Sequence, residues 1–141
     1  MSDRQATADR RAAQMWESDE VSRALGAQLV EVGPGRARVA LTLEARHCNS
    51  FGMCHGGTSF TLGDIAFGYA CNSRDQIMVA QHVTISFVAP GHVGDVLTAE
   101  AEEVNLSGRN GIFDITVRNQ RGERIALLRG ACRSIPAPDA S

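Results

Sequence analysis

The sequence predicts an α+β domain in which a curved antiparallel sheet wraps around one long central helix. Residues 58–72 carry no charge except Asp64, which is typical of a helix that is buried on all sides. Before and after this segment, apolar and polar residues alternate in runs that turn residues separate. Half-buried strands need an apolar partner, so we expect the sheet and the helix to pack on each other.

A second helix is predicted at the N-terminus. Residues 7–25 carry an approximate apolar stripe, and Gly26 is a plausible stop. The chain is therefore divided into an N-terminal helical segment (1–26), a main domain (27–135) and a tail (136–141) that is expected to be disordered.

Six strands are predicted from the alternation and from the turns between them. A loop is expected over 45–57, between the second strand and the central helix. The strands are 27–33, 36–44, a run from Ile77 to the turn at Pro90–Gly91, 95–105, 111–119 and 123–134. In the run from Ile77, one face is predicted to hold Val79, Gln81, Val83, Ile85 and Phe87.

Composition excludes several classes of protein. The chain has 141 residues, 43% of them hydrophobic and 21% charged, as expected of one globular domain. The net charge of −2 argues against nucleic-acid binding through a global positive field. No apolar run is long enough for a membrane span. We find no secretory or mitochondrial leader, so the expected location is the cytoplasm.

The distribution of positive charge is more informative than the net charge. All 14 basic residues are arginine, which removes lysine chemistry from consideration. Six of them lie between residues 105 and 135, where Asp114 and Glu123 are the acids: Arg109, Arg118, Arg121, Arg124, Arg129 and Arg133. This stretch suits a partner that carries phosphates, although a solvated strand face explains any one of these arginines equally well.

The cysteines do not indicate a metal site. Cys48, Cys54, Cys71 and Cys132 form no C-x-x-C pair, and no metal-ligand spacing or dinucleotide fingerprint is present. We therefore expect no metal and no organic cofactor. Cys54 and Cys71 are interpreted as packing residues and not as nucleophiles.

Asp64 is the first candidate for a catalytic role. A buried carboxylate is costly and needs a physical reason, since burial favours its neutral form. Such a group acts as a general base on water or as a nucleophile. The alternative is that Asp64 accepts a local backbone hydrogen bond or pairs with an arginine of another strand.

A second candidate element precedes the central helix. His55, Gly56 and Gly57 lie where free backbone N–H groups at a helix start stabilise a developing oxyanion. The alternatives are structural: the glycines make the bend into the helix, His55 bonds to the backbone, and Asn49 forms a turn.

These residues resemble a known family. Residues 49–57 (NSFGMCHGG), followed by Asp64, are similar to the hot-dog-fold thioesterases of the phenylacetate degradation (PaaI) type. The resemblance covers about residues 10 to 135. It extends through residues 66–73, 85–91, 94–95, 111–115 and 126–130.

The resemblance implies a hot-dog fold that forms homodimers and usually homotetramers. It implies hydrolysis of acyl-CoA, with Asp64 as base or nucleophile and the Gly56 amide polarising the thioester carbonyl. Asn49 and His55 match the family's supporting polar residues. Some relatives carry a hydroxyl residue on the strand after the helix, where this chain has Ala80 and Gln81.

The resemblance favours phenylacetyl-CoA or its ring-hydroxylated forms as substrate. Coenzyme A then enters as part of the substrate. The residues expected to bind the substrate are Gly57, Phe60, Arg109 and Asn110. Phe60 and the other aromatic residues of this region line a pocket or pack in the core.

Two alternative functions use the same fold. An enoyl-CoA hydratase-like enzyme needs a paired acid and histidine, and no such motif accompanies Asp64. A non-catalytic acyl-CoA binding module has no use for a lone buried acid.

The positions of Gly56 and Asp64 also predict a shared site. Eight residues along one helix correspond to about 12 Å, which is too far for one chain to supply both groups to one carbonyl. Two antiparallel copies of the helix bring the start of one beside the middle of the other.

Overall fold

The computed structural model describes residues 2–138. Three helices and six strands form one α+β unit. The helices are α1 (Asp3–Glu17), α2 (Glu20–Leu25) and α3 (Gly56–Cys71). The strands are β1 (Gln28–Gly33), β2 (Arg36–Thr42), β3 (Ile77–Phe87), β4 (Val96–Ser107), β5 (Asn110–Arg118) and β6 (Arg124–Ile135). A short 3-10 turn, Ala45–His47, lies in the predicted loop.

The strands form one antiparallel sheet in the order β1-β2-β4-β5-β6-β3. Helix α3 packs across its inner face, mainly on β2, β4 and β5. The predicted architecture of a sheet around one central helix is therefore what the chain adopts. As the alternation in the second strand indicates, Ala37, Val39, Leu41 and Leu43 are buried.

Close packing fixes α3 on the sheet. The rings of Phe67 on α3 and Phe113 on β5 lie with centroids 5.5 Å apart. Gly130 on β6 leaves room for Phe67, because a Cβ at this position would stand 2.4 Å from the ring. Since interiors tolerate few voids and no overlap, these contacts set the depth of the helix.

The single helix predicted over 7–25 is wrong, because the helix breaks at Ser18–Asp19. Asp19 caps α2, and its side chain accepts a hydrogen bond from the Ser22 N–H at 3.2 Å. The same carboxylate accepts a bond from the Tyr69 hydroxyl of α3 at 2.8 Å. An aspartate that caps a new helix and binds a distant tyrosine favours a break over continuation.

The predicted face of the third strand is also wrong. A bulge between Ala80 and His82 interrupts the alternation opposite β6. Val83 and Ile85 pack against the core, whereas Val79, Gln81 and Phe87 are exposed. One extra residue in a strand reverses the faces beyond it, so the period-two pattern fails there.

Some boundaries differ from the prediction by one or two residues. Helix α3 begins at Gly56 and not at residue 58, because the His55 side chain caps it. In the tail, residues 136–138 have no regular structure, and residues 139–141 lie outside the described residues. None of the described helices is both long and apolar enough to cross a membrane.

Candidate active site

One face of α3 is less buried than the rest of the helix. Gly57, Thr61, Asp64 and Gly68 recur at intervals of three or four residues, so they form one stripe, and none of them is buried. A Cβ added at Gly68 would meet nothing within 4 Å. In the described chain this stripe is therefore open to a ligand or to another chain.

Asp64 lies half-buried on this stripe. Within residues 2–138 its carboxylate accepts no hydrogen bond and forms no ion pair, so neither structural alternative for this residue is observed. Burial raises the pKa of the Asp64 carboxyl above its ordinary value of 3.8, because the charged form loses water without gaining a partner. A carboxylate of raised pKa in an open face is suited to proton transfer.

The start of α3 presents one free amide. The Gly57 N–H donates to Nδ1 of His55 at 3.0 Å, and the N–H groups of Thr58 and Ser59 donate to the His55 carbonyl. The Gly56 N–H donates to no acceptor within residues 2–138. Since the helix dipole adds to the amide's own polarity, this group can stabilise a developing negative charge.

Gly56 borders a pocket of about 460 Å³. Helix α3, the loop before it and the segment after β3 form its wall. The wall includes Asn49, Met53, Cys54, Phe87, Gly91 and Ile125. Sequence reasoning missed Phe87 and Ile125 here, because neither belongs to a polar motif, and it assigned Cys54 to packing. Pro90–Gly91, which the sequence predicts to end the third strand, lies in the segment after β3 and forms part of this wall.

Asn49 has a structural role in the loop. Its Oδ1 accepts hydrogen bonds from the Phe51 N–H at 2.9 Å and the Met53 N–H at 3.2 Å, so the turn-forming alternative is observed. Its side-chain amide donates no hydrogen bond to residues 2–138, and the residue also lines the pocket. Both roles are compatible, because the oxygen and the NH₂ group act independently.

His55 also acts as a structural cap. It is exposed, and Nδ1 accepts the Gly57 N–H. Because the His55 ring accepts the Gly57 N–H, it caps the start of α3, and the Gly56 N–H stays free to donate to a ligand.

The four residues expected to bind substrate lie outside the pocket beside Gly56. Gly57 is exposed at the start of α3, whereas Phe60 is partly buried against the core. Arg109 and Asn110 are exposed at the β4–β5 turn, and none of the four lines the pocket beside Gly56.

The arginines between residues 105 and 135 divide into paired and unpaired groups. Arg129 binds Asp114 across β5 and β6 at 2.7 and 2.9 Å, and Arg121 binds Glu123 at 2.7 Å. Arg109, in contrast, forms no ion pair with residues 2–138. It is therefore a better candidate for a phosphate contact than Arg129. No cluster of three metal-ligating side chains occurs in the described part of the chain.

Comparison with known proteins identifies the family. A model of the thioesterase superfamily matches residues 51–126, which include Gly56 and Asp64. This chain belongs to the thioesterase superfamily. The predicted family and the hot-dog fold are confirmed, and the protein is a thioester hydrolase.

Individual relatives agree with this assignment. Over 121 residues the thioesterase is 40% identical to the acyl-coenzyme A thioesterase PaaI of Escherichia coli K12, and the match covers 86% of each chain. The solved structure of E. coli PaaI superposes with a TM-score of 0.92 at 38% identity, covering 94% of this chain and 96% of that one. A putative esterase of Archaeoglobus fulgidus is 34% identical over 116 residues, covering 82% of this chain and 75% of the relative.

Proposed function

We propose that the thioesterase hydrolyses acyl-CoA to the free acid and CoA. The observation that carries this proposal is the unpaired, half-buried Asp64 on the same helix as the free Gly56 N–H. The similarity to the PaaI thioesterase supports acyl-CoA as the substrate class. A module that only binds acyl-CoA has no use for a half-buried carboxylate whose loss of water is balanced by no hydrogen bond or ion pair.

The reaction follows from these two groups. The Gly56 N–H hydrogen-bonds the thioester oxygen, which makes the carbonyl carbon more electrophilic. Asp64 takes a proton from water as the water attacks that carbon, or it attacks the carbon itself. The C–S bond then breaks, CoA leaves as a thiolate that takes up a proton, and the acid is released. In the second route, water hydrolyses the acyl–Asp64 anhydride.

Two chains form each site in this proposal. Gly56 and Asp64 are eight residues apart on α3, or about 12 Å along the axis, whereas an attacking atom must come within about 3–3.5 Å of the carbon. A second α3, antiparallel to the first, brings its Asp64 beside Gly56. Gly68 leaves space for this approach.

The edge of the sheet supports the same pairing. Strand β3 lies at one end of the strand order, and within the described residues nothing pairs with its outer edge. Its exposed apolar residues include Val79, at 43% exposure, and Phe87, at 58%. Long unpaired edges are usually covered in native proteins. We therefore propose a homodimer, which pairs again into a homotetramer.

The acyl group proposed is phenylacetyl or a ring-hydroxylated phenylacetyl. The pocket beside Gly56 has room for an aromatic ring, and its wall includes Phe87 and Ile125. Asn49 and His55 act as positioning residues, and Gly57, Phe60, Arg109 and Asn110 contact the substrate in the assembled dimer. The free cysteines suit a reducing compartment, so the proposed location is the cytoplasm.

A panel of acyl-CoA thioesters with a thiol reagent tests this function. We expect release of free CoA, fastest with phenylacetyl-CoA, and release slower by several orders of magnitude from an Asp64→Asn variant. Faster turnover of palmitoyl-CoA would contradict the proposed acyl class. Hydration of crotonyl-CoA without CoA release would favour the hydratase, and tight binding without release would favour a binding module. We expect chelators to leave turnover unchanged, since no cofactor is proposed.

A further inference from the structure

Two free cysteines lie opposite each other where the two sides of the 45–57 loop come together. Cys48 and Cys54 are partners in an isolated antiparallel bridge, and both are half-buried with free thiols. The residues around them make the bridging hydrogen bonds: the Asn49 N–H donates to Met53 O at 2.7 Å, and the His55 N–H donates to His47 O at 2.9 Å. Cys48 and Cys54 therefore form a non-hydrogen-bonded pair.

This type of pair has the geometry that a disulfide needs. In a non-hydrogen-bonded antiparallel pair the Cα atoms are about 4.5 Å apart and the side chains lie close together. Disulfides span Cα separations of about 4.4–6.8 Å. A bond between the two sulfurs thus requires rotation of the side chains and little movement of the backbone.

We propose that Cys48 and Cys54 are a site of reversible thiol oxidation. A peroxide oxidises the two thiols to a disulfide that joins the two sides of the 45–57 loop. One thiolate attacks the peroxide, becomes a sulfenic acid and releases hydroxide. The second thiolate attacks that sulfur, the S–O bond breaks, and another hydroxide leaves. In total, two thiols and one hydrogen peroxide give one disulfide and two waters. A dithiol reductant reverses the reaction by exchange.

The disulfide acts on the pocket through Cys54. This residue lines the pocket, and its sulfur lies 3.9 Å from the Ser59 hydroxyl on α3. A bond to Cys48 would tie the Cys54 sulfur to the opposite side of the loop and so change the pocket wall two residues before Gly56. The effect on catalysis rests on the proposed function, whereas formation of the disulfide does not.

The surroundings of Cys54 also predict how the reaction depends on pH. Burial raises the pKa of the Cys54 thiol, and the neighbouring Cys48 raises it further, while the hydrogen bond with Ser59 opposes the rise. Because the thiolate is the reactive form, attack by Cys54 on the peroxide should be slow near neutral pH and accelerate in alkaline solution.

Mass spectrometry of the full-length protein treated with hydrogen peroxide tests the site. Trypsin cuts after Arg46 and Arg74, so Cys48, Cys54 and Cys71 remain in one peptide. We expect this peptide to lose two hydrogen atoms, in the wild type and in a Cys71→Ala control, and to keep them in Cys48→Ser. The Cys71 and Cys132 thiols are in contact, so the Cys71→Ala protein decides the outcome. If its peptide keeps both hydrogen atoms, or is linked to Cys132 through Cys48 or Cys54, the proposal is overturned.

Kinetics test the consequence for the pocket. We expect peroxide to lower kcat/KM of the wild type about tenfold, as for a small displacement in an active site, and dithiothreitol to restore it. Cys48→Ser should show no loss that dithiothreitol reverses. Disulfide formation with unchanged kcat/KM would overturn the proposed effect. If the reduced enzyme hydrolyses no thioester, the proposed function fails, and the peptide masses still decide the oxidation site.

Discussion

The ring of Phe87, at the end of β3, lies directly against Gly56, at the start of α3. A Cβ at Gly56 would stand 3.0 Å from Cζ of that ring, which is closer than an ordinary contact. The requirement for glycine here is one of space, since Gly56 does not have a positive φ. The aromatic ring therefore forms the part of the pocket wall next to Gly56.

Gly56→Ala should lower kcat/KM about tenfold, because the methyl group pushes the ring and the carbonyl site apart. Overpacking should also cost about 1 kcal/mol of stability. Steady-state kinetics and thermal melting measure both effects. The double variant Gly56→Ala/Phe87→Leu, which removes the ring, is the control and should recover part of the stability. If it melts as low as the single variant, the contact with Phe87 is not the cause.

Asp64→Asn should lower kcat by several orders of magnitude while the fold stays intact. Burial raises the pKa of this carboxyl, so the native state holds the proton to higher pH than the unfolded chain does. Stability contributed by this group is complete below the unfolded pKa and is lost as pH rises through the folded pKa. The variant should therefore be neutral or stabilised near pH 7. An early-melting variant that still turns over would instead indicate a structural role.

The same pKa sets the acid limb of the rate profile. Because the carboxylate is the reactive form, kcat/KM should rise with pH as Asp64 loses its proton, with a midpoint above the ordinary value of 3.8. A profile measured with a substrate whose chemistry limits the rate checks this. A midpoint below 3.8 would contradict the assignment.

His55→Ala should destabilise the protein by about 1 kcal/mol, since the Gly57 N–H loses its cap. His55→Asn is the matched variant, because asparagine supplies an oxygen acceptor at the same position. We expect asparagine to restore both the melting temperature and kcat. Restored stability without restored kcat would give the imidazole a direct part in catalysis.

Arg109→Ala should raise KM for acyl-CoA about threefold and leave kcat unchanged, as expected for an exposed charge that contacts a phosphate. The effect should shrink at high salt and vanish with an acyl-N-acetylcysteamine thioester, which has no phosphate. Arg10→Ala is the control, because Arg10 pairs with Asp75 on the surface. Equal effects of the two variants would remove Arg109 from the CoA site.

Mixed dimers test the shared site. We expect homodimers of Asp64→Ala and homodimers of Asn49→Ala to be inactive. A dimer with one chain of each kind should have about one active site of its two, because that site joins the intact Asp64 of one chain to the intact Asn49 of the other. Differently tagged chains allow the mixed species to be purified and assayed. Verified mixed dimers without recovered activity would contradict the shared-site model.

Most of the fold could be predicted because it follows local rules. The alternation from Ala37 to Leu43 identifies a strand with one buried face, and the apolar run around Asp64 identifies a buried helix. The bulge after Ala80 could not be predicted, since an extra residue in a strand depends on its pairing with β6. The break at Asp19 likewise depends on Tyr69, fifty positions away in the chain.

The sequence by itself determined the fold class and, through its resemblance to known thioesterases, the family. It also singled out Gly56 and Asp64, whose catalytic roles stay predictions. The fold class follows from local patterns, the alternation in the strands and the apolar run of the central helix, and the family follows from a resemblance over about residues 10 to 135. Only the tertiary structure decided that Asp64 has no partner within the described chain, that Phe87 lies against Gly56 and that Cys48 faces Cys54. These are contacts between residues that the fold brings together, and the backbone hydrogen bonds and packing that create them are not written in any local pattern.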